Sequence, residues 1–202
     1  MSPAAPRPGR LVLVRHGQTQ WSHTGRHTGR TDVPLTPDGE RDARALAPRL
    51  AAFDLVAVLS SPLARARRTA ELAGLDPVAD DDLMEWDYGG YEGLTTPQIR
   101  EHLGDPSWTV FDDGVVAGDS PGETVEEVAA RASRVLERVA EPLRGGDVAL
   151  VAHGHLLRIL AATYLRQDAR FGANLLLDAG ALCVLDTEHG VPAVRRWNET
   201  AG

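Results

Sequence analysis

Three stretches of the chain end on side chains that can handle a phosphate group. The run "LVLV" stops at Arg15-His16-Gly17, "LVAVLS" leads through Ser61-Pro62 to Arg65, and "VALVA" stops at His153-Gly154. Paired arginines neutralise and orient a phosphoryl dianion, because the planar guanidinium meets two oxygens at once. The glycines that follow the histidines, Gly17 and Gly154, let a backbone approach closely. An imidazole between guanidinium groups is disfavoured in its protonated form by like charge, so its pKa falls. His16 is then neutral near neutral pH and able to attack phosphorus in line. A departing alkoxide needs a proton. Glu85 in "LMEWDYGGYEG" is the candidate donor, with Trp86 and Tyr88 beside it to exclude water. Judged singly, Arg65 reads as part of a solvated basic face with Arg67 and Arg68, and His153 as a structural histidine. Their shared position at strand ends is what joins them. Asp87, Glu92 and the run Asp80–Asp82 read as surface solvation.

The elements that must position these groups follow from apolar patterning. Strands are predicted over 10–14, 55–60, 147–152 and 181–186, with a shorter, charged edge strand over 192–197. Thr36-Pro37 opens a helix toward Leu50 that Pro48 bends or ends, and Ser61-Pro62 opens another that closes near Gly74. Thr124 and Glu127 form a capping box ahead of a long amphipathic helix. A last helix starts after His153-Gly154. Strands alternating with helices predict a three-layer α/β/α sandwich with a largely parallel central sheet. In such sheets ligands gather at the carboxyl ends of the strands, where helix N–H groups donate to anions. The expected organisation is a disordered arm over 1–9 and a single domain over 10–202. The stretch 80–121 breaks the alternation and reads as a lid-like insertion.

Composition narrows the partners. The 202 residues carry a net charge of −8 with acidic residues spread along the chain. That excludes broad electrostatic binding of nucleic acid or an anionic membrane, so an anion must be held by locally gathered cations. All the basic side chains are arginine. The N-terminal ten residues lack the apolar core of a signal peptide, and no run is long enough to span a bilayer. A lone cysteine, Cys183, sits in the apolar "ALCVL" and reads as a buried thiol. Together these point to a cytoplasmic protein.

The stretches "LVLVRHGQTQW", "SSPLARARRTA", "LMEWDYGGYEG", "GET" and "VAHGH", in this order, resemble the histidine phosphatase superfamily, also called phosphoglycerate mutase-like. The resemblance runs from about Leu11 to Leu185. It implies that His16 is phosphorylated during turnover, that Arg15, Arg65 and His153 hold the phosphoryl group, and that Glu85 is the proton donor. A water then attacks the phosphohistidine, with no metal or organic cofactor. The cofactor-dependent mutases of the family carry asparagine where Ser22 stands and phenylalanine where His27 stands. Thr28 and Gly29 match them, and the resemblance places both, with Ser22, Tyr88, Gly17 and Gly154, around the substrate. The lysine and arginine pair with which mutases clamp a carboxylated substrate have no counterpart over 93–121. Hydrolysis therefore leads over mutase activity, as in the bacterial acid phosphatases and sedoheptulose bisphosphatase-type members that the chain also resembles. Expected substrates are small phosphorylated metabolites, sugar phosphates foremost, and a homodimer is compatible with the sequence.

Two other readings stay open on the residues. A metallohydrolase would use His153-x-His155 with His16, His23 or His27, but the carboxylate ligands expected nearby are missing. In the phosphatase reading His155 is a residue of the helix's first turn, and His23, His27, His102 and His189 are exposed. A non-catalytic phosphate-binding module would need none of the acid-base groups that this chain carries.

Overall fold

The computed structural model describes residues 9–200. In chain order these form β1 (Leu11–Arg15), α1 (Gln20–His23), α2 (Pro37–Ala45), α3 (Ala47–Leu50), β2 (Leu55–Ser60), α4 (Ala64–Leu72) and β3 (Val78–Ala79). There follow α5 (Thr96–Leu103), α6 (Val110–Asp113), α7 (Val125–Val139), β4 (Asp147–Ala152), α8 (Gly154–Tyr164), β5 (Leu182–Glu188) and β6 (Val191–Glu199). One sheet takes the order β3-β2-β4-β1-β5-β6, parallel through β1 and antiparallel beyond it. The β3 edge escaped the sequence reading because its two residues are both exposed and carry no pattern.

Alternation along β1 builds the layers, since successive side chains of a strand point to opposite faces. Leu11 and Leu13 face one core with α7 and α8, while Val12 and Val14 face a second with Leu46, Leu50 and Ala70 from α2–α4. Helices therefore cover both faces of a mostly parallel sheet, as a three-layer sandwich requires. The predicted 37–50 helix splits at Leu46. Pro48 has no N–H to give the Arg44 carbonyl, so the first segment ends one turn earlier. Thr36 and Thr124 cap α2 and α7 as expected. The predicted N-terminal arm lies outside the described residues except for Gly9, whose N–H donates to the Leu143 carbonyl at 2.6 Å.

Residues 80–121 are packed into the larger core through Leu83, Trp86, Tyr88, Tyr91, Ile99, Trp108 and Phe111. Arg131 of α7 ties this segment down. It is almost fully buried, its Nε and Nη2 grip the Glu123 carboxylate at 2.9 and 3.1 Å, and its Nη1 donates to the Asp82 carbonyl at 2.9 Å and to that of Met84. Glu123 in turn accepts the Asp87 N–H at 2.9 Å, and its own carbonyl accepts the Trp86 indole N–H at 2.7 Å. Both ends of the stretch holding Glu85 are thus fixed. The solvated reading of Asp80 and Asp82 is corrected here: they pair with Arg134 and Arg138 on the same helix.

Replacing Arg131 by methionine removes one partner of a buried ion pair and leaves the other charged. Urea unfolding should show a loss of about 3–5 kcal/mol. A loss below about 1 kcal/mol would mean that the pair does not hold the segment.

Candidate active site

Parallel register builds the site. Arg15 is the partner of Ala152 and Ser60 that of Val151, so the next residues leave the sheet side by side. The ladder runs on into them, with the His16 N–H on the Ala152 carbonyl at 2.9 Å and the Ser61 N–H on the Val151 carbonyl at 3.0 Å. The rings of His16 and His153 consequently lie 5.1 Å apart, centre to centre, at 62° to one another.

Each imidazole has its tautomer fixed by its neighbour. The His16 Nδ1 is 2.7 Å from the Gly17 carbonyl oxygen. A carbonyl only accepts, so Nδ1 carries the proton and Nε2 keeps a free lone pair. Arg65 Nε donates to His153 Nδ1 at 3.2 Å, which places that ring's proton on Nε2, 2.8 Å from the Ser61 hydroxyl. Burial, reinforced by Arg65 and Arg15, pushes His16 well below the usual histidine range. Burial and Arg65 do the same to His153.

The two arginines have different surroundings. Arg65 is fully buried and donates to the carbonyls of Thr31, Thr28 and Gly29 at 2.9, 3.1 and 2.9 Å. Arg15 donates to the Leu177 carbonyl through Nη1, while its buried Nε has no partner among the described residues. An unsatisfied buried donor costs about 1–3 kcal/mol, a cost that an oxyanion held there would remove. The guanidinium lies flat on Gly154, where a Cβ would come within 3.3 Å of Cζ.

A cavity of about 400 Å³ opens over this group, bordered by Arg15, His16, Glu85, Tyr88 and Gly154. Ser22 and Thr28 border it too, although the Ser22 hydroxyl is committed to the Thr19 backbone. Arg65 and His153 are fully buried and lie outside its walls, touching His16 through its ring and its charge. Gly17 and Gly29 also lie outside the walls. A Cβ on Gly17 would come within 2.3 Å of the Gly39 carbonyl oxygen, so this glycine serves the packing of α2 rather than the approach of a ligand. A Cβ on Gly29 would crowd the Trp86 carbonyl and the Glu92 carboxylate.

Carboxylates take several of the N–H groups at the helix starts. Glu85 Oε1 accepts from the N–H groups of Trp86 and Leu156 at 2.9 and 2.8 Å, and Oε2 from that of His155 at 3.0 Å. Two N–H groups of the first turn of α8, those of His155 and Leu156, are thereby taken by the carboxylate, and the Ala64 N–H at the start of α4 is taken by Asp32 at 2.9 Å. Guanidinium groups of Arg15, Arg26, Arg100 and Arg158 bring positive charge to the cavity. Asp87 and Glu92, read as solvated, are structural. Asp87 is buried and accepts from Gly89 and Ser120, and Glu92 holds the N–H groups of Gly29 at 2.9 Å and Thr31 at 3.2 Å.

Among the wall residues outside the predicted set are three arginines and two histidines: Arg26, His27, Arg100, His155 and Arg158. His23, His102 and His189 are exposed as predicted and His155 lies in the first turn of α8 as predicted, but His27 is half-buried. Burial pushes His27 down to about 4 and His155 well below its usual value, while it raises the Cys183 thiol to about 12. His155 and Arg158 are three apart on one helix face, a spacing visible in "HGHLLR". Arg26 matches the mutase pattern beside Thr28 and Gly29, whereas Arg100 carries no such signal. Among the described residues no three or more His, Cys, Asp or Glu side chains are placed to hold a metal, so the His153-x-His155 pair lacks the further ligands of a metallohydrolase.

Four histidines that the fold keeps neutral take up protons once unfolded. Stability is therefore full above about pH 6.5 and falls as pH drops below it, down to about 4 for His27. Each such group contributes a slope of up to about 1.4 kcal/mol per pH unit. In urea titrations between pH 4.5 and 7, His27→Phe should flatten the slope by about one proton's worth. An unchanged slope would contradict burial of a neutral His27.

Comparison with known proteins agrees with this geometry. The family model described as histidine phosphatase superfamily (branch 1) matches residues 11–200. An acid phosphatase of Mycobacterium tuberculosis is 39% identical over 188 residues, spanning 92% of this chain and 90% of the relative. Sedoheptulose 1,7-bisphosphatase of Saccharomyces cerevisiae is 35% identical over 189 residues, spanning 77% and 67%. The solved structure of the M. tuberculosis open reading frame Rv3214 superposes with a TM-score of 0.90 at 37% identity, over 97% of this chain and all of that one. No helix of the described residues is long and apolar enough to cross a membrane. The chain belongs to the histidine phosphatase superfamily (branch 1), and with it to the phosphoric monoester hydrolases.

Proposed function

We propose that the chain hydrolyses phosphomonoesters of small metabolites, sugar phosphates foremost, through a phosphohistidine on His16. The observation that carries this reading is the bond from His16 Nδ1 to the Gly17 carbonyl, which leaves a lone pair on Nε2 of a ring that borders the same cavity as Arg15, whose buried Nε has no partner among the described residues. In the first half-reaction the Nε2 lone pair forms the N–P bond as the P–O ester bond breaks. Glu85, protonated at this stage, gives its proton to the leaving oxygen. In the second, a water oxygen forms the new P–O bond, the N–P bond breaks, and the water's proton returns to Glu85. Arg15 meets the phosphoryl oxygens throughout. Arg65 sets the His153 ring and has one Nη1–H beyond its four bonds. Growing charge at phosphorus is therefore met by donors already in place.

Arg26, Arg100 and Arg158 border the same cavity and support a polar or anionic metabolite. The yeast relative's name as a bisphosphatase is in keeping with that. The same residues favour a second reading. Arg100 brings a cation from 93–121, where the mutases' lysine and arginine pair have no sequence counterpart, to the cavity wall, so a substrate held there could recapture phosphate.

His16→Ala should reduce phosphatase activity to background while keeping the unfolding midpoint near that of the parent. Substantial residual turnover would refute the covalent route. Glu85→Gln should slow alkyl phosphates by about 10²–10⁴-fold and activated aryl phosphates far less; equal loss on both would remove Glu85 from the acid role. A phosphoglycerate mutase assay with bisphosphate primer should yield inorganic phosphate and no isomer. Isomer formed faster than phosphate would establish the second reading.

A further inference from the structure

One cavity wall is made of rings rather than charges. His155 packs against Phe111 with ring centres 5.2 Å apart, Tyr88 at 5.8 Å, His27 at 5.9 Å and Trp86 at 6.2 Å. Its Nδ1 lies 2.5 Å from the Tyr88 hydroxyl. That hydroxyl is buried, and among the described residues it has no other partner. A buried O–H with one available acceptor donates to it, so Nδ1 is the acceptor and Nε2 carries the proton. The one side-chain bond of His155 among the described residues is at Nδ1, so the Nε2–H is unbonded, and the ring borders the cavity. Tyr88 keeps its proton because burial, and then the Glu85 charge, raise it well above the usual phenol range. The caged ring cannot turn over without displacing its neighbours, so the donor is fixed in direction.

Position says what it faces. The backbone N–H of His155 holds Glu85 Oε2 at 3.0 Å, and the preceding residue, Gly154, carries the Arg15 guanidinium. Arg15 and His16 take the phosphoryl group in the reading above, and Glu85 protonates the ester oxygen. His155 therefore stands on the leaving-group side of the reacting bond. A neutral, directed N–H suits an uncharged acceptor there, whereas charged substituents are met by Arg100 and Arg158.

We propose that His155 is a specificity-determining residue, its Nε2–H donating to a hydroxyl or carbonyl oxygen of a polyhydroxylated leaving group, and that Tyr88 is the positioning residue that fixes its tautomer. Tyr88 then acts on the substrate only through His155. This rests on the phosphohydrolase reading and adds the class of alcohol that is released.

The test compares kcat/KM for a panel of ketose and aldose phosphates with that for phenyl phosphate, whose leaving group offers no such oxygen. His155→Phe should lose about 10–100-fold more on the best sugar phosphate than on phenyl phosphate, because a site built around a polar contact discriminates strongly when that contact is lost. His155→Gln, which keeps an N–H donor, should recover part of the difference. Tyr88→Phe should lower the same ratio and convert His155 to mixed tautomers in long-range ¹H–¹⁵N NMR spectra. Those spectra also decide the matter on the unaltered protein. A bare Nδ1 and protonated Nε2 support the assignment, and the reverse overturns it. Equal losses on both substrate types would overturn it as well, as would turnover of phenyl phosphate but of no sugar phosphate. Failure to turn over any phosphomonoester would instead overturn the underlying reading.

Discussion

Arg15 and Ala152 are register partners on adjacent parallel strands, so the residues that follow them leave the sheet together. Two histidines separated by more than 130 positions in the chain are brought within 5.1 Å of each other by backbone hydrogen bonding alone. Side-chain chemistry then only has to set their protons. The Gly17 carbonyl does this for His16, and Arg65 does it for His153. Because the strands are parallel, β2 delivers Ser61 and the start of α4 to the same edge, and Arg65 arrives with it. Shifting β1 by one residue against β4 would turn the β1 side chains to the opposite face and part His16 from His153.

Gathering cations around a neutral nucleophile requires each cation to be held. Arg65 is anchored by backbone carbonyls of the 28–31 loop, and that loop is pinned through Glu92. Glu85 is oriented by three backbone N–H groups, two of them from the first turn of α8. Burying such groups is tolerable because nearly every donor has an acceptor. Arg15 Nε is a buried exception, and Arg15 borders the same cavity as His16. The protein leaves unsatisfied the donor best placed for an incoming oxyanion.

The sheet and its active edge were legible in the sequence because both are local. Apolar runs mark the strands, and the residues just beyond each run mark the site, so His16, Arg65 and His153 can be read from position alone. Thr36 and Thr124 announce their helices in the same way. What was not legible depends on contacts between distant segments. Asp87 and Glu92 read as surface carboxylates because their partners lie 33 and 63 residues away. His27 reads as a loop residue until Tyr88 and Trp108 cover it. The helix-terminal donors expected for phosphate were assigned by a general rule, but Glu85 and Asp32 take the N–H groups of His155, Leu156 and Ala64. Arg100 had no readable signal, because its place depends on how the 80–121 segment folds back over the sheet.

Everything in this account passes through the Nε2 of His16. Rapid quenching during turnover of a phosphomonoester, followed by peptide mapping and ³¹P NMR of the labelled fragment, would locate the bound phosphate. The structure calls for phosphate on His16, attached at Nε2. Phosphate attached at Nδ1, found on another residue such as Ser61, or absent throughout turnover would contradict it.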